Sequence, residues 1–262
     1  MQLGVCVEMV LSKLAFEDRL RKAAEIGLEN VEMWMVDGSF KGGPDELARL
    51  CERHGVRMTN TVIGSANGAV GGGLTNPASR RKWLDRARMT IDFTKAAGIG
   101  ATIVCTGNAV EGMSDEQMMR SVLEGLKPTV ELAEAAGVTL LLEPLNNTHD
   151  HTGHWLTSSD RAAEICRRIG SARMRMLFDC YHMQIMEGDL ARHIERNLDV
   201  IGHFHSGGVP GRHELYEGEI NYRFLVKQIE SLGYRGVFGL EYVPSCDCDT
   251  SLRKTLEYLR GN

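Results

Sequence analysis

Four side chains in the second half of the sequence have the types and spacing of a metal-binding site. Glu143, Asp179, His205 and Glu241 each end a short apolar run, at intervals of 36, 26 and 36 residues. Any one of them alone is typical of a helix cap or a satisfied polar group. Burying four such groups costs free energy unless they are paired or bind a cation. Three carboxylates and one imidazole predict one divalent cation, Mn²⁺, Mg²⁺ or Co²⁺, with Zn²⁺ as a further option.

Two more polar residues are expected near these four. His182 follows Asp179 by three residues, so a turn or helix there would place it over the same mouth. Arg212 lies in the Gly-flanked segment 210–214 (PGRHE). It is interpreted either as a clamp for a substrate carboxylate or hydroxyl, or as a solvated loop charge.

Further histidines allow two interpretations each. His149, His151 and His154 crowd one loop after Glu143, and the loop is either polar and solvated or part of the site. His203 precedes His205 by two residues, so in a strand both side chains point to the same face. His203 is expected to support the site or to fill a layer of side chains.

The elements that must position these residues alternate along the whole chain. Eight short apolar runs are predicted as strands and the amphipathic stretches between them as helices. The strands are 3–7, 30–35, 57–63, 101–106, 139–142, 174–178, 200–205 and 236–240. The helices are 16–26, 44–54, 80–97, 115–136, 159–168, 188–197, 222–232 and 251–259.

Eight strand–helix units without a change in composition predict a single α/β domain over residues 1–262. The expected architecture is a (β/α)8 TIM barrel, with an open doubly wound sheet as the lesser alternative. In such a barrel, function collects at the carboxyl ends of the strands, where the four residues stand. The Gly-rich segment 64–74 is expected to be a flexible loop on that same face, and in a barrel it could act as a lid.

The overall charge argues against several classes of protein. Lys and Arg number 30 and Asp and Glu 35, a net charge of −5, so nucleic acid is not an expected partner. Membrane association is not expected either, because the sequence contains no apolar run of the roughly 20 residues that a spanning helix needs. The N-terminal segment is interpreted as a strand and not as a signal peptide. Seven scattered cysteines are most simply explained by a reducing cytoplasm.

Several motifs in the second half resemble one known family. Residues 142–146 (LEPLN), 179–189 (DCYHMQIMEGD), 209–214 (VPGRHE) with 218–220 (GEI), and 239–242 (GLEY) are similar to the hydroxypyruvate isomerase family. That family belongs to the xylose isomerase-like barrels, together with the ketose 3-epimerases. The resemblance implies a divalent metal on Glu143, Asp179, His205 and Glu241. It also implies two glutamates that move protons, and substrate contacts from His182 and Arg212.

The expected chemistry is proton transfer next to a carbonyl group. A dication and two carboxylates suit the removal of such a proton, because the resulting enediolate is anionic. If the proton returns to the adjacent carbon, the enzyme is an isomerase of a small hydroxy-carbonyl compound or sugar. If it returns to the same carbon from the opposite face, the enzyme is an epimerase. A keto-sugar lyase, an endonuclease IV-like metal hydrolase and an inactive sugar-binding barrel are the alternatives. The expected partner is a small molecule, and a homo-oligomer is left open.

Overall fold

The computed structural model describes residues 1–261. This range contains nine β-strands. In chain order they are β1 Gln2–Cys6, β2 Asn30–Glu32, β3 Arg57–Met58, β4 Asn60–Val62, β5 Ala101–Val104, β6 Thr139–Leu142, β7 Met174–Asp179, β8 Ile201–Ser206 and β9 Val237–Leu240.

Helices follow the strands in the described range. They are α1 Phe16–Ile26, α2 Pro44–His54, α3 Arg80–Ala96, α4 Asp115–Ala136, α5 Ser159–Ile169, α6 Cys180–Met186, α7 Leu190–Asn197, α8 Tyr222–Ser231 and α9 Cys248–Arg260. A 3-10 turn, Pro77–Ser79, precedes α3. Between residues 1 and 261, none of the helices combines the length and the apolar character that crossing a membrane requires.

All the strands form one parallel sheet in the order β3-β2-β1-β9-β8-β7-β6-β5-β4. The two ends of this sheet meet, because β3 and β4 follow each other in the chain with Thr59 between them. The backbone N–H of Thr59 donates to Val31 O at 2.9 Å, and that of Met33 donates to Asn60 O at 3.3 Å. The predicted TIM barrel is therefore confirmed. Its extent as one domain over residues 1–262 stays a prediction.

The prediction of one continuous third strand over 57–63 is wrong. This part of the chain changes neighbour at Thr59: β3 pairs with β2, and β4 pairs with β5. The pattern of apolar residues is the same for one strand and for two consecutive strands, so it could not predict the break. The break occurs where the two ends of the sheet meet to close the barrel.

The ends of the helices follow from local sequence. Ser114 and Gln117 form a reciprocal capping box at the start of α4, with hydrogen bonds of 3.2 and 2.7 Å. At the other end of α4, Gly137 has a φ of 74°, a left-handed conformation that glycine adopts with little steric cost.

The two faces of β8 are used differently. His203 and His205 point to the barrel interior, whereas Phe204 lies on the opposite face and packs against Phe178 and Phe238, with ring centroids 6.0 Å away in both cases. Phe238 in turn contacts Tyr222 of α8. This aromatic layer between sheet and helices fixes the strands that carry the candidate site.

We expect Phe204→Ala to lower the free energy of unfolding by about 3–5 kcal/mol, because it leaves a cavity in this fully buried layer. Phe224→Ala is the matched control, since Phe224 is 55% exposed and should cost under about 0.5 kcal/mol. Urea unfolding followed by circular dichroism measures both. An equal decrease in the free energy of unfolding for the two variants would contradict the role of Phe204 in this aromatic layer.

Candidate active site

The four predicted ligands come together at the carboxyl ends of four neighbouring strands. Glu143 follows β6, Asp179 ends β7, His205 lies in β8 and Glu241 follows β9. All four side chains are buried, and each offers a ligand atom within 4.8 Å of those of the other three. The spacing along the chain therefore translates into proximity in space.

Asp179 uses its two carboxylate oxygens differently. Oδ1 accepts a hydrogen bond of 2.8 Å from the backbone N–H of Tyr181 and caps α6. Oδ2 faces the site, 3.3 Å from a terminal nitrogen of Arg212 and 3.5 Å from His182 Nε2. Asp179 therefore caps a helix with one oxygen and faces the candidate site with the other.

His205 presents one ring nitrogen to the carboxylates. Nδ1 lies 3.1 Å from Glu241 Oε2 and 3.7 Å from Glu143 Oε1. Although Nδ1 is buried, neither contact has the geometry of a hydrogen bond, and Nδ1 has no hydrogen-bond partner within residues 1–261. A buried nitrogen without a hydrogen bond, facing carboxylate oxygens, fits a metal ligand.

Arg212 is part of the site, so the interpretation as a solvated loop charge is wrong. Its side chain is only 13% exposed, and one terminal nitrogen lies 2.5 Å from Glu241 Oε2. The guanidinium also lies over the ring of Tyr181, 4.9 Å from its centroid. The backbone of Arg212 has a left-handed φ of 56°, a conformation that is uncommon for residues other than glycine.

The electrostatics of the cluster are dominated by burial and by the two cationic partners. Burial raises the pKa of Asp179 to about 7, although Arg212 and His205 oppose this shift. For Glu241, burial acts in the same direction, but His205 and Arg212 outweigh it and hold the pKa well below its usual range. Burial disfavours the charged form of His205, yet Glu241 and Glu32 together raise its pKa well above the ordinary value. Negative groups outnumber positive ones, as expected for a cation site.

His182 is held as a neutral hydrogen-bond donor. Its Nδ1 accepts from the backbone N–H of Asn146 at 3.3 Å and lies 2.7 Å from the Asn146 side-chain nitrogen, so the ring hydrogen is on Nε2. Burial, and then the charge of Arg212, lower the pKa of His182 well below its ordinary value. Asp150 fixes this arrangement by accepting from Asn146 and from the hydroxyl of Tyr181.

The histidine-rich loop contributes unequally to the site. His151 lines the cavity and His149 is exposed. His154 is buried, with Nδ1 3.1 Å from Ala66 O and Nε2 3.4 Å from Thr106 Oγ1. Burial lowers the pKa of His154 to about 4, so it stays neutral and connects this loop to the Gly-rich segment.

A cavity of about 250 Å³ opens above the cluster. Its charged and imidazole side chains are Glu143, His151, His182, Arg212 and Glu241, and its other walls are Trp34, Met35, Val62, Gly64, Ser65, Ala66, Ile103, Cys105 and Leu145. The first residues of the Gly-rich segment 64–74 thus form one wall of the cavity, and the segment lies on the same face of the barrel as the candidate site, as predicted. The volume suits a ligand smaller than a drug-sized molecule.

Two residues of the site were missed by the sequence analysis. Trp34 Nε1 donates to Glu241 Oε1 at 3.1 Å, and Glu32 Oε2 lies 2.6 Å from His205 Nε2. Glu32 lies in the middle of the predicted strand 30–35, so it did not stand out as a carboxylate at a strand end, although the structure ends β2 at this residue. Trp34 stands in a predicted strand with no neighbouring polar motif to mark it.

The comparisons with known proteins agree with this fold. A profile of the xylose isomerase-like TIM barrel family matches residues 20–261. The chain therefore belongs to that family. It is 31% identical to a 2-oxo-tetronate isomerase of Cupriavidus necator, covering 97% of this chain and 96% of the relative. It is 29% identical to the hydroxypyruvate isomerase of Escherichia coli, covering 94% and 95%.

Solved structures show the same architecture. A protein from Brucella melitensis, titled an AP endonuclease of family 2, superposes with a TM-score of 0.88 at 26% identity over 98% of this chain and 99% of its own. The IOLI protein, whose title records a bound zinc atom, superposes with a TM-score of 0.81 at 13% identity, covering 100% and 96%. At that identity the second comparison shows the fold alone.

We expect the His182 ring to stay neutral, without titrating, between about pH 6 and 8. Asn146→Asp places a carboxylate beside Nδ1 and should raise the pKa of His182 into that range. ¹H–¹⁵N NMR of the histidine rings, assigned with His182→Gln, measures this.

Asn147→Asp is the matched control, because the Asn147 side chain donates to His154 O and not to His182. A wild-type His182 that titrates near its ordinary value would contradict this geometry.

Proposed function

We propose that this protein is a divalent-metal-dependent isomerase of a small hydroxy-carbonyl acid, of the hydroxypyruvate or 2-oxo-tetronate kind. The observation that carries the proposal is the convergence of Glu143 and Glu241 with Asp179 and His205 at the base of a small cavity. The two isomerases that this chain resembles over nearly their full length support the same reaction class.

One cation would be held by Glu143, Asp179, His205 and Glu241. Three carboxylates and a single imidazole favour Mn²⁺, Mg²⁺ or Co²⁺, with Zn²⁺ as a further option. When bound, the cation would supply Lewis-acid stabilisation of the negative charge that develops on substrate oxygens.

The two glutamates differ in how firmly they are held. Glu241 accepts from Trp34 at 3.1 Å and from Arg212 at 2.5 Å, which fixes its carboxylate and keeps it ionised. Glu143 lines the cavity, and the nearest ionic partner of its carboxylate is His205 at 3.7 Å. We assign proton removal from the carbon next to the carbonyl to one glutamate, and return of the proton to the adjacent carbon to the other.

Arg212 and His182 would bind the substrate. Arg212 has five N–H donors, and its contacts with residues 1–261 engage Nε and one terminal nitrogen. The other terminal nitrogen is thus available for a substrate carboxylate, to which a guanidinium binds well. His182 Nε2–H points toward Asp179 and would donate to a substrate hydroxyl or carbonyl oxygen.

Nucleic acid is not part of this proposal, although one solved relative is titled an endonuclease. The chain has a net charge of −5, and the small cavity is lined by carboxylates that repel phosphate. We propose a small-molecule substrate without nucleic-acid or membrane partners. All seven cysteines are free in the described structure, which supports a cytoplasmic location.

The test is a Mn²⁺-supplemented screen of hydroxypyruvate, tartronate semialdehyde and free ketoses in deuterated water, with products identified by NMR. Isomerised acids carrying solvent deuterium at the carbon next to the carbonyl are expected. Products inverted at one carbon would indicate an epimerase instead, and cleavage of abasic DNA in a parallel assay would indicate a nuclease.

At saturating metal and substrate, we expect Glu143→Gln and Glu241→Gln each to lower kcat by about 10²–10⁴-fold, because an amide cannot accept the substrate proton. Glu187→Gln is the control: Glu187 accepts from Ser159 outside the cavity, so its turnover should stay near that of the wild type. Full turnover in either active-site variant would refute the assigned roles.

Chelation with EDTA should abolish isomerisation, because neither the buried carboxylates nor the developing substrate charge would then be neutralised. Adding back Mn²⁺, Mg²⁺ or Co²⁺ should restore turnover, measured by product formation. Undiminished turnover in the stripped protein, with metal content checked by mass spectrometry, would rule out metal dependence.

A further inference from the structure

A buried carboxylate next to the four-residue cluster joins the two histidines of β8. Glu32, the last residue of β2, is 1% exposed. Its Oε2 lies 2.6 Å from His205 Nε2, and its Oε1 lies 3.0 Å from His203 Nε2. Because β1 and β9 separate β2 from β8 in the sheet, this contact spans the barrel interior.

From these contacts we infer that Glu32 is a positioning residue, which fixes the orientation and tautomer of His205 so that Nδ1 faces Glu143, Asp179 and Glu241. The inference rests on the proposed function, because its purpose is to present Nδ1 to the proposed cation. Neither the motifs nor the spacing of the sequence marked this role.

The tautomer follows from the chemistry of the contacts. An ionised carboxylate only accepts hydrogen bonds, so the ring hydrogen of His205 must be on Nε2 when that nitrogen contacts Glu32. A metal ligand must be a nitrogen with a free lone pair, which leaves Nδ1 for that role. Nδ1 is the ring nitrogen that lies 3.1 Å from Glu241 Oε2. A carboxylate that accepts from the distal N–H of a ligating histidine is a recurrent feature of metal sites.

His203 holds the carboxylate from its other side. Its Nε2 contacts Glu32 Oε1, and its ring meets that of His205 edge to face, with centroids 5.1 Å apart. Both oxygens of Glu32 are thus engaged, so the carboxylate cannot rotate away from His205. From the sequence, His203 was expected either to support the site or to fill a layer of side chains, and this contact favours support.

The backbone leaves space for this arrangement at Gly239 of β9. A Cβ atom there would collide with Glu32 Oε1 and lie 2.8 Å from His205 Cδ2. Gly239 pairs with His205 in the sheet, so its hydrogen side chain allows Glu32 to reach the imidazole. Any larger residue would have to push the two groups apart.

A second cation among Glu32, His203 and His205 is the competing interpretation, since their ligand atoms lie within 4.8 Å of one another. The observed separations of 2.6 and 3.0 Å are those of hydrogen bonds. An ion between His205 Nε2 and Glu32 Oε2, with each ligand at about 2.0–2.2 Å, would need these two atoms farther apart than 2.6 Å. The geometry therefore favours a hydrogen-bonded support over a second metal centre.

The test is Mn²⁺ titration of the stripped full-length protein by calorimetry, which needs no turnover. We expect the wild type to bind one ion per chain and Glu32→Gln to bind it about 10–100-fold more weakly, because one amide oxygen cannot accept from both histidines. Glu187→Gln, which alters another largely buried carboxylate close to a histidine, is the matched control with unchanged affinity.

Two further measurements separate positioning from a purely structural role. Gly239→Ala retains every functional group but displaces Glu32, so it should weaken Mn²⁺ binding and serves as the test if Glu32→Gln does not fold. In Mg²⁺-loaded wild type, ¹H–¹⁵N correlations should show His205 with its hydrogen on Nε2, and this pattern should be lost in Glu32→Gln.

The outcomes distinguish this inference from the proposed function. A wild type that binds one Mn²⁺ with Glu32→Gln and Gly239→Ala binding it equally well would overturn the role of Glu32 alone. A wild type that binds two ions, and a Glu32→Gln variant that binds one, would replace the inference with a second metal site. A wild type that binds no Mn²⁺ would overturn the proposed metal centre and this inference with it.

Discussion

Close packing of buried like charges is the constraint on which the site depends. Glu143, Asp179 and Glu241 place carboxylate oxygens within 4.8 Å of one another in the barrel, where burial leaves little water to screen their charges. Such an arrangement is stable only if positive charge lies among the oxygens. Arg212 supplies part of that charge, and the remaining excess of carboxylates makes a divalent cation the fitting complement. In the proposed function, the positive charge that balances the carboxylates would also stabilise an enediolate.

The barrel makes this concentration of charge achievable. Parallel strands deliver their carboxyl ends to one rim, and the aromatic layer around Phe204 holds β7, β8 and β9 in register. Surrounding groups then restrict two of the ligands: Trp34 fixes one oxygen of Glu241, and α6 fixes one oxygen of Asp179. Rigid elements thus carry the candidate catalytic groups, whereas loops such as 64–74 shape the cavity above them.

The sequence was most informative where one strand end carries one polar residue. Apolar periodicity located the strands, and the shared position of Glu143, Asp179, His205 and Glu241 predicted their convergence. Contacts across the barrel could not be predicted in this way, because β2 and β8 are not neighbours and spacing does not show that Glu32 reaches His205. Neither could the hydrogen bonds of Asn146 to His182, which depend on the path of an irregular loop. The break at Thr59 was missed because barrel closure leaves no mark in hydrophobic patterning.

A crystal structure of the Mn²⁺-soaked protein, with data collected at the manganese absorption edge, would show directly whether the four side chains bind a cation. We expect one anomalous peak within about 2–2.5 Å of carboxylate oxygens of Glu143, Asp179 and Glu241 and of the Nδ1 atom of His205. The absence of an anomalous peak at this position in crystals with ample free Mn²⁺ would contradict the proposed metal site. A peak next to His205 Nε2 and Glu32 instead would contradict it as well.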